Sequence, residues 1–409
     1  MDRGRDHMTK QINILIVDDR PENLLAMEAM LDDPELQLIT ATSGVGALEK
    51  CLEFDFALIL MDVQMPEMDG YETARHLTTI SRTRYIPIIF VTANSRDLQQ
   101  VSTGYESGAV DYLFKPLVPQ IVINKVRIFK ELYQQRRAIT EKSEELTEAY
   151  RGIRADLDAA AEVQRSMLPR ELPETDRVCA SWRFRPCQII GGDLLNIVEP
   201  QAGLFVMYVL DVSGHGLQAA LLSTALGHIL ASVSRVDSIV WNYGNGNHAM
   251  SLATPGEVAT RLNKRFPMDA DTCQYFTLLY GILDSKHEEF RYVAAGHPSP
   301  VLLSNGEVTV LATTNPPIGW LRNRPSFTEG VLPMKPGDRL YLFSDGLTEA
   351  CNAAGEEFGD GRLWAEIVGS AKLSLEDAMA RLEAFVMEWA VEDLKDDLSI
   401  LGVELKEVS

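Results

Sequence analysis

The sequence has little that a membrane-spanning or secreted protein requires. None of its apolar runs approaches the roughly 20 residues needed to cross a bilayer. Residues 1–10 are polar, do not form the apolar stretch of a secretory signal, and are predicted to be a disordered leader. The five cysteines, an odd number without CxxC spacing, argue against a disulfide framework. Together these absences favour a cytoplasmic protein with no membrane partner.

Positive charge is also scarce. The chain has 38 Lys and Arg against 59 Asp and Glu, a formal net charge of −21. Because nucleic acid binding requires neutralisation of phosphates, this balance argues against a nucleic acid partner. A GxxxxGK[ST] loop for nucleotide phosphates is missing as well, so no ATP-dependent kinase site is expected. The acidic surplus suits a protein that gathers carboxylates around cations, although acidic surfaces also serve solubility.

Residues 11–130 alternate short apolar runs with amphipathic stretches. Buried parallel strands have such continuous apolar runs, and their alternation with helices predicts a doubly wound α/β domain. The predicted strands are Ile12–Val17, Ala57–Met61, Ile86–Thr92 and Ala109–Phe114, and the predicted helices include Glu22–Leu31 and Tyr71–Ile80.

Residues 131–168 contain no proline and one glycine, Gly152, and are predicted to form a helical coiled-coil linker. Apolar residues recur every seven positions at Leu132, Ile139, Leu146, Ile153, Ala160 and Met167. The companion seam is half polar: Phe129, Arg136, Ser143, Tyr150, Leu157 and Gln164. This pattern favours a marginal or switchable coiled coil, and the alternative is one long amphipathic helix packed against its own domains.

Residues 169–409 change pattern again, to short strands separated by Gly, Pro and Asn turns with a few helices among them. This mixture predicts an α+β domain, an αββα sandwich. The predicted strands are Leu204–Leu210, Phe276–Leu283, Phe290–Ala294, Pro300–Leu303 and Arg339–Phe343. The predicted helices are Leu217–Val233, Pro255–Phe266 and Leu375–Val391.

Five polar residues stand at strand ends of the first domain: Asp18, Asp19, Asp62, Thr92 and Lys115. Ligands of open α/β sheets bind beyond the carboxyl ends of the strands, so these side chains are expected to converge. The three aspartates are predicted to hold one Mg²⁺, which prefers oxygen ligands. Asp62 is the expected phosphoryl acceptor, with Lys115 and the Thr92 hydroxyl contacting the phosphoryl oxygens.

In these positions the chain resembles the response-regulator receiver family, over about residues 12–130. A single Asp at a strand end is more often a turn or cap, but five such residues followed by Pro116 favour the receiver. The resemblance implies phosphorylation of Asp62 by a histidine kinase. It also implies that Thr92, Tyr112 and Lys115 act as the switch residues.

Four acidic clusters mark the last domain. They are Gly191-Gly-Asp193, Asp211-Val-Ser-Gly-His-Gly216, Ser344-Asp-Gly346 and Asp396-Asp-Leu-Ser399. Carboxylates gathered in one cleft repel one another, so their burial is expected only around cations. Two divalent ions about 3.5–4 Å apart could activate a water and clamp a phosphoryl group.

These clusters, in this order, resemble the metal-dependent protein phosphatase (PPM) family, in its SpoIIE-like branch, over about residues 160–405. Three further segments fit that branch: residues 164–169, 275–281 and 295–298. The resemblance implies two Mn²⁺ or Mg²⁺ ions, both bridged by Asp211 with help from the Val212 carbonyl. Asp193 then serves the second ion, and Asp345 and Asp396 serve the first.

The same resemblance assigns Asp397 less readily as a ligand than Asp396. Asn196 stands where many relatives carry an acidic residue. His215 is either a proton donor or a structural residue, and His297 is expected to fix a loop.

The implied protein is a two-component response regulator, homodimeric through its linker, that dephosphorylates phosphoserine or phosphothreonine on an anti-sigma factor antagonist. The direction in which Asp62 phosphorylation changes activity stays open. Two alternatives also stay open: a catalytically weak phosphatase-like binding module, or a coiled-coil scaffold gated by the receiver.

Overall fold

A computed structural model describes residues 11–93, 109–173, 175–214, 216–231, 238–242, 251–268, 274–312, 315–321, 326–390 and 394–407. The chain divides into two compact units, Met1–Tyr150 and Arg151–Ser409. Within the described ranges, no helix has both the length and the apolar character that a membrane crossing would require.

The first unit is built on a five-stranded parallel sheet. Its strands are β1 (Ile12–Val17), β2 (Leu36–Ala41), β3 (Leu58–Asp62), β4 (Ile88–Thr92) and β5 (Ala109–Phe114). Their order in the sheet is β2-β1-β3-β4-β5. The helices are α1 (Pro21–Met30), α2 (Gly44–Glu53), α3 (Gly70–Thr79) and α4 (Pro119–Arg165). Hydrophobic clusters cover both faces of the sheet, so the predicted doubly wound α/β fold is confirmed.

Helix α4 is 47 residues long, and the division between the two units falls inside it. Its first turns belong to the sheet domain, because Val122 and Val126 lie in the core. The Lys130 ammonium also holds the carboxylates of Asp33 and Glu35, at 2.6 and 2.7 Å. The helix then continues without a break through the predicted domain boundary at 130/131 and ends before the prolines that follow it.

The second unit contains two five-stranded antiparallel sheets. The strands of the first are β7 (Leu194–Gln201), β8 (Leu204–Val212), β11 (Phe276–Asp284), β12 (Glu289–Ala295) and β15 (Gly330–Pro333), ordered β15-β12-β11-β8-β7. The strands of the second are β6 (Val178–Arg185), β13 (Val301–Ser304), β14 (Glu307–Val310), β16 (Arg339–Phe343) and β17 (Leu398–Leu405), ordered β14-β13-β16-β17-β6. A small pair, β9 (Trp241–Asn242) and β10 (Ser251–Leu252), stands apart.

The two sheets pack face to face around one core. Leu210 and Leu279 of the first sheet share a cluster with Leu340 and Leu401 of the second. The helices of this unit are α5 (Leu217–Ala231), α6 (Pro255–Arg265), α7 (Gly359–Gly369) and α8 (Leu375–Trp389), with a short 3-10 helix at Asp345–Leu347. α5 and α6 pack on the first sheet and α8 on the second, which confirms the predicted αββα sandwich.

Candidate functional site

The strand ends of the first unit bring three carboxylates together. Asp18, Asp19 and Asp62 each place an oxygen within 4.8 Å of the others. Asp18 is fully buried and held from two sides. The Asn23 amide donates to both of its oxygens at 2.9 and 3.0 Å, and the backbone N–H of Arg20 donates to one of them at 2.9 Å. The predicted all-oxygen cluster is therefore present as a preformed geometry.

Lys115 lies against this cluster. Its Nζ is 3.1 Å from Oδ2 of Asp18 and 2.7 Å from Oδ1 of Asp62. Burial raises the pKa of Asp62, and the hydrogen bond from Lys115 opposes that rise. A Cβ on Gly70 would lie 2.3 Å from the Asp62 carbonyl oxygen, so only glycine permits this close approach of the loop.

Thr92 and Tyr112, the predicted switch residues, lie on adjacent strands. Thr92 ends β4 and is buried, and its carbonyl accepts from the N–H of Lys115 at 2.8 Å. The buried ring of Tyr112 lies between Phe90 and Phe114, with ring centroids 5.8 and 6.5 Å away. The backbone of Thr92 is thus bonded to Lys115, the residue that contacts the carboxylate cluster.

In the second unit the fold brings the four acidic clusters to one region. Asp211 lies at the end of β8, Asp345 opens the 3-10 helix after β16, and Asp396 lies just before β17. Burial first, and then the negative charges of Asp345, Asp396 and Asp397, raise the pKa of Asp211 to about 7. These charge effects are consistent with Asp211 lying close to Asp345, Asp396 and Asp397.

Asp193, just before β7, is the most deeply buried of these carboxylates, at 1% exposed. Burial and the charges of Asp211 and Asp397 raise its pKa well above the ordinary value. Within the part of the chain that the structure describes, its Oδ2 has no hydrogen-bond partner. A buried oxygen of this kind needs a partner, and a set of hard carboxylate oxygens is what Mn²⁺ and Mg²⁺ prefer. The residues therefore fit a divalent metal centre.

Asp397 has a positioning role that the sequence did not reveal. Its carboxylate accepts from three backbone N–H groups: Cys187 at 2.8 Å, Gly192 at 2.6 Å and Asp193 at 3.2 Å. A Cβ on Gly191 would lie 2.1 Å from the same carboxylate. Asp397 therefore fixes the glycine loop that carries Asp193.

Cys187 also lies beside this region, with its Sγ within 4.8 Å of carboxylate oxygens of Asp396 and Asp397. Burial, and then the neighbouring charge of Asp397, raise the pKa of the Cys187 thiol to about 12. A thiol that stays protonated is neither a reactive nucleophile nor a ready metal ligand. The proposed metal ligands are accordingly the carboxylate oxygens and not the Cys187 sulfur.

The end of α4 contacts the same glycine loop through Gln164. This side chain is 3% exposed. Its Nε2 donates to the Gly191 carbonyl at 2.7 Å and to Oγ of Ser223 at 3.2 Å, and its Oε1 accepts from the Gly191 N–H at 3.2 Å. The last turn of the linker helix is therefore bonded to the backbone two residues before Asp193.

Asn196 and His297 make their described contacts with residues outside the four acidic clusters. Asn196 is opposite Tyr208 in the sheet and lines a separate cavity with Arg170 and His228. Nδ1 of His297 is 2.7 Å from the hydroxyl of Thr277. Thr277 of β11 is the residue opposite Asp211 of β8 in the sheet. Burial lowers the pKa of His297 to about 3, so its ring is neutral at physiological pH. His215 lies outside the described residues.

Comparison with known proteins identifies both units. The N-terminal unit is a response-regulator receiver domain, whose family signature matches residues 14–127. The C-terminal unit is a PPM-type phosphatase domain, and the signature of stage II sporulation protein E (SpoIIE) matches residues 201–406, half of the chain. The protein therefore belongs to the SpoIIE family, and both resemblances inferred from the sequence are confirmed.

Individual relatives cover one part of the chain each. The SiaA-PP2C domain of Pseudomonas aeruginosa shares the fold, with a TM-score of 0.53 and 23% identity over 63% of this chain and 98% of that chain. A Vibrio cholerae protein described as "Probable cyclic di-GMP phosphodiesterase" is 39% identical over 126 residues, 31% of this chain and 28% of the relative. The transcriptional regulatory protein SrrA of Staphylococcus aureus is 37% identical over 114 residues, 28% of this chain and 46% of the relative. The chain thus spans less than half of either curated relative.

Proposed function

We propose that the chain is a metal-dependent serine/threonine protein phosphatase whose activity is set by phosphorylation of Asp62. One observation carries the catalytic part of this proposal. Asp193 is a fully buried carboxylate with one oxygen that has no hydrogen-bond partner among the described residues. The charges of Asp211 and Asp397 raise its pKa, and those of Asp345, Asp396 and Asp397 raise the pKa of Asp211. Ionised carboxylates gathered in this way repel one another, and bound cations would stabilise the arrangement by neutralising them.

The proposed roles of the site residues are those that the resemblance to the phosphatase family implies. Asp211, with the Val212 carbonyl, would hold both ions, Asp193 the second, and Asp345 and Asp396 the first. When bound, two Mn²⁺ or Mg²⁺ ions supply an activated water and neutralise charge on the phosphoryl group. The chain holds these oxygens in place, and the Asp397 hydrogen bonds fix the glycine loop that carries Asp193.

The proposed substrate is phosphoserine or phosphothreonine on an anti-sigma factor antagonist protein. The proposed phosphodonor for Asp62 is a histidine kinase, with one Mg²⁺ held by Asp18, Asp19 and Asp62. The cluster of these three aspartates with Lys115 supports this assignment, since Lys115 already contacts two of the carboxylates.

The proposed route of regulation runs along α4. Val122, Val126 and Lys130 anchor its first turns in the receiver domain. Gln164 bonds its last turn to the glycine loop of the phosphatase site. A change in register or pairing of this helix would therefore reach the loop that carries Asp193.

The test is Mn²⁺-dependent dephosphorylation of an antagonist that its anti-sigma kinase has phosphorylated, with and without beryllium fluoride as a mimic of phospho-Asp62. We expect turnover that requires Mn²⁺ and that differs between the two states. The beryllium fluoride effect is expected to vanish in Asp62→Asn, the matched control. Folded protein with no turnover in either state would overturn the enzymatic assignment and favour a binding module.

The middle of the linker carries an apolar seam that favours dimerisation. Ile139, Leu146 and Ile153 are each at least 60% exposed and recur at the heptad spacing. Exposed apolar residues at that spacing favour pairing with a second helix, and we propose a homodimer formed by two copies of α4.

Replacing Leu146 with Glu is expected to convert the dimer to monomer, because it places two like charges in one core layer. The measurement is molar mass by light scattering at micromolar concentration. The control is Ala155→Glu, which adds the same charge two residues beyond Ile153, at a heptad position outside both seams. A monomeric wild type, or a dimeric Leu146→Glu protein, would contradict the proposal.

A further inference from the structure

The phosphatase unit exposes an apolar surface formed by Tyr275, Trp320 and Leu321, here called the Trp320 platform. Trp320 is 50% exposed and Leu321 is 47% exposed. The Tyr275 ring packs edge-on against the indole, with ring centroids 5.0 Å apart. Large aromatic side chains contribute most to binding when they are buried in an interface, so this surface is a candidate contact for a partner.

The backbone that carries Trp320 is held rigidly. The Gly319 N–H donates to Oδ1 of Asn263 at 2.8 Å, and Nδ2 of Asn263 donates to the Leu321 carbonyl at 2.9 Å. Asn263 is buried in α6, so its amide holds the chain on both sides of the tryptophan. The Gly319 carbonyl also accepts from the N–H of Met268 at 3.1 Å. Because the backbone is already fixed, a partner that covers the side chain would not also have to order the loop.

The platform adjoins the metal-binding strand end. The N–H of Tyr275 donates to Oγ of Ser213 at 3.0 Å, and the N–H of Ser213 donates to the Tyr275 carbonyl at 3.0 Å. Ser213 directly follows Val212 and Asp211 in the chain. Two hydrogen bonds thus join the platform to the segment that would hold both ions.

We propose that the Trp320 platform docks the protein substrate while its phosphoserine or phosphothreonine occupies the metal site, and that it determines preference for protein over small phosphate esters. This inference rests on the proposed phosphatase function. The metal ligands contact a phosphoryl group that every monoester shares, so selectivity must come from contacts beyond them. A folded substrate that presents its phosphate beside Asp211 would lie next to the platform, because Tyr275 is bonded to Ser213 two residues beyond Asp211.

The test compares two probes on the full-length protein: p-nitrophenyl phosphate, and a phosphoserine-bearing anti-sigma factor antagonist phosphorylated in vitro by its anti-sigma kinase. Trp320→Ala is expected to raise KM for the phosphoprotein by about 10-fold or more with little change in kcat. Hydrolysis of p-nitrophenyl phosphate is expected to stay at the wild-type rate. Trp320→Phe, which keeps an aromatic ring, is expected to retain most of the affinity.

Val331→Ala serves as the matched control, because Val331 is equally exposed, at 53%, on strand β15. An unchanged KM in Trp320→Ala overturns the inference, and so does an equal loss on both probes, which would mark a structural role. If the wild type hydrolyses only p-nitrophenyl phosphate, docking of this class of substrate is wrong while the metal centre stands. If it hydrolyses neither probe with Mn²⁺ present, the proposed function fails and the docking inference fails with it.

Discussion

Asp211→Asn is expected to abolish phosphatase turnover and, at the same time, to make the metal-free phosphatase unit more stable. Turnover is expected to fall by at least about 100-fold, because the carboxylate that would hold both metal ions is lost. Stability is expected to rise because the substitution removes one charge from a buried set of carboxylates that repel one another. The gain should be on the order of 2 kcal/mol at pH 8 without metal.

The raised pKa of Asp211 determines how the metal-free stability of the phosphatase unit depends on pH. The pKa of Asp211 is about 7 in the folded protein, above its ordinary value of 3.8. Between pH 4 and 7 the unfolded chain has therefore lost a proton that the folded chain keeps, so metal-free stability falls as pH rises through that range. Asp211→Asn is expected to flatten this slope.

Thermal unfolding of the phosphatase unit is measured from pH 5 to 8, with EDTA or with Mn²⁺. It checks both the stability gain of Asp211→Asn and the flatter pH dependence. Mn²⁺ is expected to raise the melting temperature of the wild type, and to do so more at high pH, because it competes with protons for Asp211. Asp360→Asn, at an exposed position on α7, is the control and should behave as the wild type. Loss of metal-free stability in Asp211→Asn, or an undiminished Mn²⁺ effect, would show that the carboxylate is not held under repulsion.

The receiver fold could be predicted from the sequence to the extent that its strands are buried on both faces. β1, β3 and β4 are mostly apolar and almost fully buried, and each was predicted within two residues of its bounds. β2 was missed because it is an edge strand with a polar residue exposed at its second position. In the phosphatase unit, β15 was missed for a similar reason, since its four residues include both Gly and Pro.

The residues of the candidate site could be predicted only where a local sequence motif marks them. Aspartates beside glycine or at strand ends indicated the carboxylates, and the structure places Asp193, Asp211, Asp345 and Asp396 in one region. The hydrogen bonds of Asp397 join residues more than 200 positions apart. No local pattern indicates such a contact. Residues 164–169 fit the resemblance to the phosphatase branch, but no pattern identifies Gly191 as the partner of Gln164.

Gln164→Ala is expected to weaken the metal site from the end of the linker. The substitution removes both hydrogen bonds to Gly191 and leaves a buried N–H and a buried carbonyl without partners. Each unsatisfied group costs about 1–3 kcal/mol, which is enough to let the glycine loop leave its present position. Because Asp193 lies two residues further on, we expect the Mn²⁺ concentration for half-maximal activity to rise by about 10-fold or more.

Activity titrated against Mn²⁺, with and without beryllium fluoride, separates a regulatory contact from a merely structural one. If α4 transmits the state of Asp62 through Gln164, the difference between the two receiver states should disappear in Gln164→Ala, even where high Mn²⁺ restores turnover. The control is Val163→Ala, at an exposed neighbour on the same helix, which should keep both the wild-type metal requirement and the beryllium fluoride effect. A Gln164→Ala enzyme with lower turnover but an intact response to beryllium fluoride would place the signal elsewhere on the helix, and Gln164 would then only support the fold of the glycine loop.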